Sequence, residues 1–106
     1  MKTKPFATSL PLLGVDASGR EFTAFVRVDP PRQIEPDLWG CSVSIPGWEE
    51  GPIEVVNIDG LGAMMLALQF AAARMKSFED LGGRWLDSKT REIWPIEVYF
   101  SPLVAI

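Results

Sequence analysis

Histidine is missing from this chain of 106 residues, and cysteine occurs once, as Cys41. Without histidine the commonest general base is gone, as are the Ser–His and Cys–His nucleophile pairs and nearly all transition-metal sites. A single cysteine excludes an internal disulfide, and in an alternating strand it is expected as a small buried hydrophobe. Basic residues are locally scarce too. None lies between Arg32 and Arg74, whereas Glu35, Asp37, Glu49, Glu50, Glu54 and Asp59 all do. With a formal net charge of −4 the chain has no basic footprint, so neither nucleic acid nor an anionic membrane is an expected partner. The only long apolar stretch contains Asp59, Gln69, Arg74 and Lys76, which make it too polar for a transmembrane span. The start, Met1 to Phe6, carries charge with no apolar h-region behind it, so a cytoplasmic location is expected.

What is present is enough to fold. Hydrophobic residues make up 47% of the chain, which suits a globular protein, and the length suits one α+β domain spanning 1–106. That domain is organised around Asn57 to Leu81, which reads as one long helix. Asp59 is placed to accept backbone N–H bonds as N-cap, alanine, leucine and methionine favour the helix, and Gly82-Gly83 supplies the stop. On a helical wheel Leu61, Met64, Met65, Leu68, Ala71, Ala72, Met75 and Phe78 form the face expected to pack on a sheet. Ala63, Leu66, Phe70 and Leu81 form a second, thinner apolar stripe. A helix apolar nearly all round is normally covered on both sides. Leu66 and Phe70 are therefore the candidate contact for the apolar tail Leu103 to Ile106, or for the same helix of a second subunit in a homodimer.

Along the rest of the chain, Phe6 to Val15 reads as an edge strand or a bulged one, because Pro11 has no N–H for a ladder. Asp16 to Gly19 is a hairpin turn, and Glu21 to Asp29 alternates as a half-buried strand. Asp29 to Asp37, with three prolines and no period, reads as a loop. Leu38 to Ile45 turns Trp39, Cys41, Val43 and Ile45 to one face and leaves the other small and bare. Pro46 to Pro52 is a wide hairpin loop, and Ile53 to Ile58 completes the meander. After the helix come Arg84 to Asp87, a polar turn and Glu92 to Pro95. Ile96 to Phe100 then reads as a short strand or an extended cover. The expected fold is α+β: an antiparallel meander of about four strands packed against one long helix, with a C-terminal cover segment.

Trp48, Glu49 and Glu50 form the most site-like local cluster. A tryptophan beside carboxylates is a candidate anchor for a protein partner, and the structural alternative is a tryptophan plugging the end of the core with solvated acids beside it. Gly60-Leu61-Gly62 before a helix lacks the dinucleotide pattern and follows a meander strand, which does not make a phosphate turn. No residue is assigned as catalytic, cofactor-binding or metal-binding, and no cofactor is expected.

The helix start, Asn57-Ile-Asp-Gly-Leu-Gly-Ala-Met-Met-Leu-Ala-Leu-Gln-Phe70, resembles the pattern Gly-x-Asp-Ser-Leu-Gln-Ala-Leu-Leu-Leu-Ala-Leu of a family of small bacterial proteins of unknown function. Asp59, Leu61, Ala63, Ala67 and Leu68 match it, whereas Asn57 stands for the glycine, Gly60 for the serine and Gly62 for the glutamine. The resemblance implies a short meander before a single Ala/Leu-rich helix, and no activity. Together these readings make a non-catalytic binding or regulatory module the leading expectation. An acidic immunity-type inhibitor of a basic toxin comes next, with Trp48 as anchor, and an enzyme relying on carboxylates or arginine comes third.

Overall fold

A computed structural model describes residues 8–49 and 51–104. Its elements, in chain order, are β1 (Thr8–Val15), β2 (Glu21–Val28), β3 (Arg32–Glu35), β4 (Leu38–Ser44), β5 (Ile53–Asn57), α1 (Gly60–Asp80), β6 (Arg84–Asp87) and α2 (Ile96–Val104). All strand pairs are antiparallel. β5 flanks one side of β4; β3 and β2 share its other side, followed by β1 and then β6. The fold is therefore α+β, with α1 across one face of a six-stranded sheet and α2 packed on α1.

Local chemistry explains most of these boundaries. Asp16 closes the β1–β2 turn by accepting the N–H groups of Ser18 at 2.9 Å and Arg20 at 3.0 Å on one carboxylate oxygen, and Gly19 takes φ +88°. Pro30 and Pro31 interrupt β2, but the chain resumes as β3 on the same side of β4, with Arg32 opposite Gly40 and Gln33 opposite Trp39. The expected loop from Asp29 to Asp37 thus contains a strand. Every residue of β3 is exposed, so no buried face imposes a period, and the prolines bracket the strand without occupying it.

Pro11 is accommodated as expected over part of β1 only. Phe25 donates its N–H away from β1, to the carbonyl of Pro46 at 3.0 Å, so the pair Pro11–Phe25 exchanges no hydrogen bond. The position of the missing Pro11 N–H therefore faces away from β2, and β6 covers only Leu12 to Val15 on that side. β1 is interior at its C-terminal half and an edge at its N-terminal half.

Asp59 caps α1: its Oδ1 accepts the Gly62 N–H at 2.6 Å. At the other end Gly82 takes φ +96°, and its N–H and that of Gly83 return to the carbonyls of Glu79 and Phe78. The buried face is rotated from the expected one. Ala63, Ala67, Ala71, Met75 and Phe78 are buried, whereas Leu61 is 72% exposed and Leu68 half-buried. A line of three alanines, each with no exposed surface, lets the helix lie close on β4, and the larger residues flank that line.

Ile96 onward is helical, which corrects the extended reading. Pro95 accepts the first backbone bond, from Tyr99 N–H at 3.2 Å, and the pair Ile96 and Phe100, one turn apart, faces the core. A period-two pattern over five residues fitted both structures. α2 packs against α1 as the C-terminal cover, with Glu97 Oε1 3.8 Å from Lys76 Nζ. The side chains of the tail expected on Leu66 and Phe70, Leu103 to Ile106, lie outside the described residues.

Candidate functional site

The Trp48 loop is built from a turn that depends on Gly47. The N–H groups of Trp48 and Glu49 both return to the Ile45 carbonyl, and Gly47 takes φ +97° against the Thr23 backbone, where a Cβ has no room. Trp48 is thereby directed inward. Its ring centroid lies 5.2 Å from that of Phe78 and 5.7 Å from that of Trp85, and Phe22 meets the same two rings edge-on. Trp85, with no exposed surface, donates its indole N–H to the Met75 carbonyl at 3.1 Å.

Arg74 of α1 ties the loop down. Its guanidinium stands 5.5 Å from the Trp48 ring centroid, and its Nε donates to Glu49 Oε2 at 2.8 Å. The Glu49 carboxylate raises the pKa of Arg74 further above its ordinary value, by hydrogen bond first and by charge second. Two of the three candidate partner-binding residues, Trp48 and Glu49, are thus engaged within the chain, and Glu50 lies outside the described residues. Beside them is a shallow cleft of about 260 Å³ lined by Asp16, Arg20, Phe22, Gly47, Trp48 and Phe78. Its carboxylate, Asp16, is held below the ordinary aspartate range, chiefly by the Ser18 hydroxyl and then by the Arg20 N–H. Those bonds favour the ionised form, opposite to what a general acid needs.

Conditions differ at the other end of β4. Glu35 and Asp37 sit at the β3–β4 turn, and Asp59 follows β5, whose last residue, Asn57, is opposite Trp39. None of these three carboxylates forms an ion pair with a described residue. The nearby cation, Arg32, reaches across the bare surface of Gly40 to Glu54, at 2.9 Å. The acidic block is therefore divided unequally between the two ends of β4: at one end Glu49 is paired with Arg74, and at the other Glu35, Asp37 and Asp59 have no ion-pair partner among the described residues.

Leu66 is 38% exposed and Phe70 is half-buried against the core. Cys41 is buried and donates its thiol to the Asp29 carbonyl at 3.2 Å, and burial pushes its pKa up. Among the described residues no group of His, Cys, Asp or Glu is arranged to hold a metal, and no helix is long and apolar enough to cross a membrane. Sequence reasoning missed the Arg74–Glu49 clamp, whose partners are far apart in the chain. It also missed the acidic end at Glu35, Asp37 and Asp59; the charge block signalled it, but which acids would find partners was not readable. Comparison with family models, with curated proteins and with solved structures found no match.

Proposed function

We propose that this protein is a non-catalytic binding module for a basic protein partner, met at the end of the sheet carrying Glu35, Asp37 and Asp59. The observation that carries this reading is the uneven pairing of the acids. The two cations that bound the acidic block in sequence are already committed, Arg74 to Glu49 and Arg32 to Glu54, which leaves those three carboxylates as the local source of negative field. Unpaired charges beside one another raise the local potential and steer an oppositely charged partner. An inhibitor covering the basic surface of a toxin is the sharper form of the same reading. The test is a titration of the isotope-labelled protein with the basic peptide Lys-Val-Lys-Val-Lys-Val, followed by amide chemical shifts at low and high salt. Shifts centred on residues 35–37 and 57–59, lost in Glu35→Lys/Asp37→Lys and weakened by salt, are expected. Shifts centred on Glu49, or none at any peptide concentration, overturn it.

A further inference from the structure

We infer that β5 is a docking edge, to which an extended basic segment of the partner adds as a further strand of the sheet. The inference rests on the preceding reading for the partner's charge, and on backbone geometry for the mode of attachment.

The phase of the ladder decides which groups are available. Asp29 donates its N–H to the Ser42 carbonyl at 2.9 Å, so the backbone polar groups of Ser42 face β2. In an antiparallel ladder hydrogen-bonded and non-hydrogen-bonded pairs alternate. Ser42–Glu54 and Gly40–Val56 are therefore non-hydrogen-bonded pairs, and the pairs using Val43, Cys41 and Trp39 hold β5. The N–H and C=O groups of Glu54 and Val56 point away from β4, where no described strand lies. Ile53 and Val56, each about half exposed, flank this row on opposite faces, so an incoming strand gains apolar contact on both sides.

Other edges of the same sheet are guarded. β6 is covered by the returning chain: Asp87 N–H donates to Glu92, Leu86 bridges Ile93, and Trp94 N–H donates to Trp85. The uncovered half of β1 carries Pro11, and β3 is four residues long with a register shift between Gln33 and Glu35. Prolines, bulges and covering segments are what prevent strand addition, and among the described residues β5 has none of them within its span. The occupant follows from charge. Asp59 directly follows β5, and Glu35 and Asp37 lie at the same end of the sheet across β4, so the long side chain of a lysine or arginine at that end of an added strand meets a negative field that no described cation neutralises. A second copy of this chain would bring a further acidic block to that place. Strand addition of this kind takes affinity from backbone bonds and specificity from alternate side chains.

Val56→Pro separates this mode from simple charge attraction, because it deletes an outward N–H and none of the bonds to β4. The same peptide N-methylated at every residue removes the pairing from the other side without altering the protein. With wild type, binding of Lys-Val-Lys-Val-Lys-Val should slow amide exchange at Glu54 and Val56. Affinity should fall about tenfold or more with either Val56→Pro or the methylated peptide. Equal affinity of the methylated and unmethylated peptides overturns strand addition while leaving the acidic-partner reading intact. Loss of all binding in Glu35→Lys/Asp37→Lys, with that equality, assigns the contact to charge alone. Absence of peptide binding by wild type overturns both. A concentration-dependent dimer in analytical ultracentrifugation, abolished by Val56→Pro, would give the edge to a second copy and overturn the basic occupant.

Discussion

Asn57 and Gly62 compete for one space. A Cβ on Gly62 would lie 2.8 Å from Asn57 Nδ2 and 3.2 Å from the capping oxygen of Asp59. Asn57 meanwhile uses its Oδ1 to accept the Ile58 N–H at 2.7 Å. Two of the three positions where the helix start departs from the pattern it resembles are thus in contact. Gly62→Ala should be nearly neutral in wild type, because the helix-propensity gain of about 1 kcal/mol is offset by displacing Asn57. In an Asn57→Ala background the same change should stabilise by about 1 kcal/mol. A double-mutant cycle by urea denaturation reads the coupling, and strict additivity would mean the two do not share the space.

The cap itself is testable by charge. Asp59→Ala should cost about 1 kcal/mol, and Asp59→Asn should be closer to neutral, since an amide oxygen still accepts the Gly62 N–H. If both cost the same, the carboxylate acts through the helix dipole and not through the bond.

Close approach of α1 to β4 makes enlargement within the alanine line costlier than truncation of the exposed Leu61. Ala67→Leu should destabilise by about 1–3 kcal/mol through overpacking, whereas Leu61→Ala should stay within about 0.5 kcal/mol. Thermal melts of the two variants decide it, and the reverse order would place the sheet-facing side of the helix on Leu61.

Phe78 joins Phe22, Trp48 and Trp85 under the Trp48 loop. Phe78→Ala should cost about 3–5 kcal/mol and raise amide exchange at Trp48 and Glu49. Gly83→Ala also disturbs this ring, because its Cβ would overlap the Phe78 side chain. Unchanged exchange in the loop would show that the aromatic cluster does not hold it.

Acid should expose two opposing effects. Asp16 and Asp87 are held below the ordinary aspartate range by turn hydrogen bonds, from the Ser18 hydroxyl and the Thr90 N–H foremost. Their contribution is complete above that range and is lost as the pH falls through the depressed values. Glu79 runs the other way: burial first, and Glu97 second, raise its pKa, so stability rises as the pH falls through that raised value. Stability against pH should show a slight gain above the decline. Asp16→Asn and Asp87→Asn should flatten the decline, and Glu79→Gln should remove the gain. An unchanged curve in all three would place the acid-sensitive groups elsewhere.

Much of the architecture was legible where one residue type had one physical use. Asp59 and Gly82 mark the ends of α1, and the alternation of β2 and β4 assigns their inner faces. Legibility ended where burial did not impose a period. β3 is exposed throughout, so four polar and apolar residues between prolines carried no signal. The Ile96–Phe100 segment was short enough to satisfy both strand and helix spacings, and packing against α1 decided between them. The sheet-facing stripe of α1 is marked by Ala63, Ala67 and Ala71 and not by the larger Leu61 and Leu68, because close helix–sheet contact favours the small residue. At the candidate site, the cluster Trp48–Glu49 was visible as local sequence. Its clamp by Arg74 depends on tertiary distance alone.

Coverage of β6 by Glu92, Ile93 and Trp94 bears on stoichiometry. A sheet that accepts strands at both margins can grow without limit, whereas one margin here is sealed by the chain's own return. Any strand taken up at β5 ends the growth, because the opposite margin offers no second template. Complexes formed by strand addition at β5 should therefore stop at one partner per chain.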